Sequence, residues 1–161
     1  MATITVETGT GSTTANSYIS EADFETYATD RNITLTGDSN VLLITAMDYI
    51  EQQPFKGLKG TDAQALQWPR YGVSIDGYYV DNNEIPQLLK DALCEVALGV
   101  DAGNNPLLTE DRATKKEKVG EIEVEYMDGA RNTTYLKAAE NKLQKLLKAG
   151  SMGFSAVALR G

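Results

Sequence analysis

The sequence predicts a mainly α protein: a small bundle of about four helices with a short β-hairpin or strand element and an extended C-terminal tail. Three observations carry this. Residues 40–53, 86–100 and 134–149 place apolar side chains three and four apart, as one face of a helix requires. Strict two-residue alternation is confined to short stretches. Between the second and third helical patterns lies a turn-rich stretch holding the only tryptophan. At 161 residues the chain forms one body, residues 1–150, followed by a tail at 151–161. A body of that size buries roughly 70% of the surface its unfolded chain exposes.

Residues 2–7 (ATITVE) alternate, with Ile4 and Val6 on one side, and read as a short strand. Residues 8–17 (TGTGSTTANS) read as a flexible loop, and no lysine follows the glycines in phosphate-loop order. Ser20 and Asp23 start a first helix with a capping-box pattern, and Ile19 and Phe24 are placed as a hydrophobic staple. This helix runs to about Asp30 and buries Phe24, Tyr27 and Ala28. Gly37 and Asp38 break the chain, and Ser39 caps a second helix over residues 40–53. Apolar residues wrap most of that helix, which makes it the expected centre of the core. Pro54 closes it.

Trp68 sits between Gln67 and Pro69. Proline disfavours the α region for the residue before it, so a rigid aromatic is presented from a loop. Trp68 is the expected structural anchor of this loop, its indole N–H meeting a backbone carbonyl. Asp76-Gly77 and Asp81-Asn82-Asn83 are turn signals around Tyr78 and Tyr79, which gives a small projecting hairpin. Pro86 opens a third helix to about Val100, with a core stripe of Leu89, Ala92, Leu93, Val96, Ala97 and Val100.

Residues 118–127 (KVGEIEVEYM) alternate from Glu121 and read as one half-buried strand with an acidic face of Glu121, Glu123 and Glu125. The last helix, residues 134–149, buries Leu136, Ala139, Leu143, Leu146 and Leu147. Its other face carries Lys137, Lys142, Lys145 and Lys148, by default a solvated surface and otherwise one for acidic neighbours or phosphates. A basic and an acidic strip on one chain fit head-to-tail association of copies. Arg70, Tyr71, Tyr78 and Tyr79 are left to reach a neighbouring subunit, together with Lys137, Lys145 and Lys148. The apolar tail either folds back on the body or is donated to a partner.

Composition excludes several chemistries. There is no histidine, which removes the commonest general base and metal ligand, and the single cysteine, Cys94, rules out an internal disulfide. Cys94 lies at the edge of a helical core face and reads as a buried small hydrophobe. Asp76, Asp81 and Glu84 lack the spacing of a calcium loop. No enzyme, metal or cofactor is expected. No apolar run approaches the roughly 20 residues that span a bilayer. A net charge of −8 argues against binding DNA by phosphate neutralisation.

Several stretches together resemble a known family. They are ANSYIS at residues 15–20, AMDYI at 46–50, QALQWPR at 64–70 with Gly72-Val73, Glu84-Ile85-Pro86, and KVGEIEVEY at 118–126. In this order they look like the tailed-phage head–tail connector adaptors, whose relatives are often labelled DnaT-like single-stranded-DNA-binding proteins. The resemblance implies a structural adaptor that binds the portal as a ring of twelvefold symmetry. It would extend the channel for double-stranded DNA and dock the next neck component, within the virion and, during assembly, the host cytoplasm. Portal contact would fall to Phe154, Val157, Leu159 and Arg160. The strip Glu121, Glu123 and Glu125 would face the channel or the lysine face of a neighbouring copy. The alternative is a DnaT-like single-stranded-DNA-binding protein. Such proteins interleave basic residues with exposed aromatics on which bases stack, and here Tyr71, Tyr78 and Tyr79 have Arg70 nearby but no wider basic groove.

Overall fold

The structure, a computed structural model, describes residues 2–107, 116–119, 122–125 and 136–149. Among the described residues four helices, α1 (Glu21–Thr29), α2 (Ser39–Ile50), α3 (Gln87–Asp101) and α4 (Lys137–Leu143), form the bundle. Three two-stranded antiparallel sheets join them. They pair β1 (Leu58–Lys59) with β2 (Arg70–Tyr71), β3 (Ser74–Ile75) with β4 (Tyr78–Tyr79), and β5 (Lys116–Val119) with β6 (Ile122–Glu125). The mainly α bundle with small strand pairs is the predicted fold class.

α3 is the central helix, packed against α1, α2 and α4. Its Leu89, Ala92, Leu93, Val96 and Ala97 are fully buried, as the 3–4 spacing dictates. The expectation that α2 would be central is corrected: its Val41 is 51% exposed, and its buried face is Leu42, Leu43, Ala46, Met47 and Ile50. Ser20 and Asp23 form the expected capping box of α1. Asp38, not Ser39, caps α2, its Oδ1 accepting the N–H groups of Asn40 and Val41. The Asp101 carboxylate at the end of α3 accepts the N–H groups of Thr36 and Gly37 and so ties the α1–α2 connection to α3.

Three local expectations fail for tertiary reasons. Residues 2–7 make no strand; a single parallel bridge links Val6 to Ser17. Of the helix expected over 134–149, the described residues are α-helical only as α4, because residues 146–148 turn aside to pair with 54–56. There the Lys56 N–H donates to the Leu146 carbonyl and the Lys148 N–H to the Pro54 carbonyl. Leu136, Ala139, Leu143, Leu146 and Leu147 are nonetheless all buried, as their pattern predicts. The stretch read as one strand holds parts of two, β5 and β6. Their register sets Lys118 opposite Glu123 and Lys116 opposite Glu125, so lysines of the same chain are the cross-strand positions nearest those glutamates.

The loop at residues 8–17 is not loose. It wraps the carboxylate of Glu7, which is 1% exposed. One Glu7 oxygen accepts the N–H groups of Gly9, Thr10 and Gly11 at 2.8, 2.7 and 3.1 Å, and the other that of Ser12 at 2.6 Å. Successive backbone N–H groups converging on an anion make a nest, and here the anion is built into the chain. Gly9 is required there: its φ is +102°, and a Cβ would lie 1.7 Å from the Asn83 carbonyl oxygen.

A second, half-buried carboxylate fixes the tryptophan loop. Glu51, just past α2, accepts the Tyr18 hydroxyl on one oxygen and the Gln67 N–H at 2.7 Å on the other. The Tyr18 oxygen in turn accepts the Trp68 N–H at 3.2 Å. Gln64 donates to the carbonyls of Leu66 and Pro69 at 2.8 and 3.2 Å, and the Trp68–Pro69 peptide is cis. Trp68 is fully buried, with Phe55 edge-on at 6.0 Å between ring centroids. Contrary to expectation, its indole N–H meets no hydrogen-bond partner among the described residues; its anchoring comes from burial.

Two outcomes follow. Glu7→Ala leaves converging N–H groups without their anion and should cost about 2–4 kcal/mol, allowing for partial rehydration of the loop. Urea unfolding measures this, and a loss below about 0.5 kcal/mol would show that the nest closes without Glu7. Burial pushes the Glu51 carboxyl above its ordinary 4.5, against hydrogen bonds from Tyr18 and Gln67. The stability it contributes is therefore full below the unfolded value and lost as pH rises through the higher folded value. Glu51→Gln cannot ionise, so its stability relative to the parent should rise between about pH 4 and pH 7. Thermal melts across that range check the sign of the slope.

Candidate nucleic-acid interface

β3 and β4 are joined by Asp76 and Gly77 at φ +51° and +90°. Two successive positive-φ residues make the type I′ turn that matches the twist of paired strands. The base of this hairpin is fixed by fully buried Val73, whose carbonyl accepts the Val80 N–H at 3.0 Å. Above that base Tyr78 and Tyr79 are 80% and 86% exposed. Adjacent strand residues point to opposite faces, so neither face of the hairpin is covered at this point. Tyr71 on β2 is 48% exposed and stands opposite Leu58 of β1, which is 74% exposed. Tyr78 and Tyr79 thus stand exposed on opposite faces of the hairpin, with Tyr71 and Leu58 exposed on the strand pair that precedes it. This concentration of exposed aromatic groups makes the region a candidate contact surface.

Cations reach this surface from far along the chain. The pairing of residues 54–56 with 146–148 brings the last turn beyond α4 against the segment that leads into β1. The Lys145 ammonium meets the Asp76 carboxylate at the hairpin tip at 2.7 Å. The Lys56 ammonium donates to the Lys145 carbonyl at 2.8 Å. Lys148 is exposed on the same segment, and Lys59 on β1 donates to the Gln64 carbonyl at 3.1 Å. Sequence spacing could not reveal this grouping, because it joins residues 56, 76 and 145 through tertiary pairing.

The remaining expected site residues fall as follows. Arg70, expected to reach outward, is 6% exposed and turned inward. Its guanidinium donates to the carbonyls of Lys56, Gly57 and Gln67 and to the Gln67 side chain, at 2.7 to 3.1 Å. Lys137 is exposed at the start of α4. Lys142, read as part of a solvated face, is instead half-buried against Glu95 at 2.8 Å, with the Tyr27 hydroxyl donating to the same carboxylate at 2.7 Å. Burial opposes the Glu95 charge, but Lys142 and Tyr27 outweigh it and hold the carboxyl below its usual range. Cys94 is buried, its thiol pushed up to about 12 by desolvation, as suits a core residue and not a nucleophile.

Glu121, and Phe154, Val157, Leu159 and Arg160 of the tail, lie outside the described residues; Glu123 and Glu125 are placed only by their register in β6. Among the described residues no group of three His, Cys, Asp or Glu side chains could hold a metal ion. Among them, too, no helix is long and apolar enough to cross a membrane.

A family model described as "Putative DnaT-like ssDNA binding protein" matches residues 2–161. No curated protein and no solved structure matches the chain. The family match overturns the connector-adaptor reading. The portal, the twelvefold ring, the neck component, the channel for double-stranded DNA and the virion fall with it. The stretches behind that reading specify folding: QALQWPR builds the Trp68 clamp, and KVGEIEVEY contributes to the β5–β6 pair. Motifs that fix a loop carry no information about a partner. Over nearly its whole length, the chain belongs to the DnaT-like single-stranded-DNA-binding family.

Proposed function

We propose that this protein binds single-stranded DNA without catalysing a reaction on it, stacking bases on Tyr78, Tyr79 and Tyr71. The observation that carries the reading is the exposure of Tyr78 and Tyr79, 80% and 86%, on a hairpin whose base is rigid. Family membership supports it. An aromatic ring accepts any base, because every base has a π-face, and each stacked base is worth about 1–3 kcal/mol. Duplex DNA keeps its bases stacked within the helix, so the same surface discriminates against double strands. A cytosolic place of work, where single strands are exposed, fits this activity.

The charge argument against DNA binding concerned the whole chain, and the interface is local. Lys145 reaches the hairpin tip, Lys56 meets its carbonyl and Lys148 lies on the same segment, so these three would supply phosphate contacts in an otherwise acidic protein of net charge −8. Affinity should then rest mainly on stacking, with a shallow salt dependence: a slope no steeper than about −2, the limit for three phosphates on a single strand. Fluorescence anisotropy with a labelled oligo-dT tests this. Tyr78→Ala and Tyr79→Ala should each weaken binding by about fivefold to a hundredfold, with the fold intact by circular dichroism. Wild-type affinity untouched by both substitutions, or equal affinity for a duplex of the same length, would contradict the reading.

A further inference from the structure

We propose that Asp76 acts as an internal competitor of the DNA phosphate for Lys145, so that strand binding at the hairpin proceeds by exchange of this ion pair. The inference rests on the single-strand-binding reading above. Lys145 and Asp76 are 69 residues apart in sequence, yet their charged atoms meet at 2.7 Å. Both side chains face solvent, 51% and 65% exposed, so the pair is accessible to an incoming anion. Asp76 occupies the hairpin tip, separated from Tyr78 only by Gly77. A phosphate attached to a base stacked on Tyr78 would therefore arrive where the carboxylate already holds the ammonium.

The chemistry of the exchange is symmetrical. A carboxylate and a phosphodiester both offer a lysine anionic oxygens, and an ammonium on a four-carbon stem reorients without a fixed geometry. The Lys145 backbone stays in place during the swing, since its carbonyl accepts the Lys56 ammonium and the next residue pairs with 56. An exposed pair is weak enough to be displaced. Once displaced, Asp76 remains beside the phosphate and repels it. The pair thus lowers affinity and also hides one cation from the salt dependence, because the counterion of Lys145 is a protein carboxylate and not a salt ion.

Asp76→Asn is a clean test, because asparagine tolerates the positive φ of +51° at this position and keeps the turn. The full chain is titrated with a fluorescein-labelled oligo-dT of about twelve nucleotides over a range of salt. The exchange predicts that Asp76→Asn binds about two- to fivefold tighter, with a salt slope steeper by up to about 0.7. It also predicts that Lys145→Gln weakens binding and abolishes the gain from Asp76→Asn in the double variant. Were the pair only a brace for the hairpin, Asp76→Asn would weaken binding, and that result overturns the proposal. Unchanged affinity and slope in Asp76→Asn would overturn it as well while leaving single-strand binding intact. A wild-type protein that does not bind the oligonucleotide at any salt would overturn both.

Discussion

Glu51 and Tyr18 hold the segment on which the rest of the molecule depends. The carboxylate follows directly on α2, and the tyrosine lies in the connection before α1. Together they take the N–H groups of Gln67 and Trp68 near the end of the irregular loop between β1 and β2. A buried loop is costly wherever its backbone groups go unpaired. Gln64, Arg70 and Lys59 take up the carbonyls of Gly57, Gln64, Leu66, Gln67 and Pro69 in the same region. With these groups satisfied, Trp68 can fill the core, and the strand pairs on either side of it stand at fixed positions. The tyrosine surface is rigid for this reason. Its hairpin springs from Val73, five residues beyond the clamped tryptophan.

Much of this was legible in the sequence where local and tertiary demands agree. The capping box at Ser20 and Asp23, the stripe of α3 and the Asp76-Gly77 turn each specify one local geometry, and the packed structure uses it. Legibility ends where a distant partner decides. Residues 144–149 continue a helical pattern, but edge pairing with 54–56 draws them out of the helix. The alternation of residues 2–7 satisfied a strand template, yet Glu7 went to the core as the anion of its own loop. A glycine- and threonine-rich loop looks flexible until the charge it encloses is known.

The same limit governs the candidate site. The projection of Tyr78 and Tyr79 could be read from turn chemistry alone, whereas Arg70, the nearest cation in sequence, is consumed by the loop it supports. The lysines that accompany the tyrosines arrive from residues 56 and 145 to 148 through chain pairing. Whole-chain charge is therefore a poor guide to a local surface, and under the proposed function affinity carried by stacking would need few cations. The resemblance to connector adaptors failed for a related reason: its motifs record how the Trp68 loop is built, and a scaffold of that kind does not name its ligand.

Backbone amide chemical-shift mapping with oligo-dT at low salt tests the central claim most directly, because it locates the ligand without altering the protein. The account predicts that shifts concentrate on residues 56–59, 71–80 and 145–148, leaving the amides of α1 and of the buried Trp68 loop near their free positions. Shifts spread over the outer faces of α1 and α2, or none at saturating oligonucleotide, would contradict it.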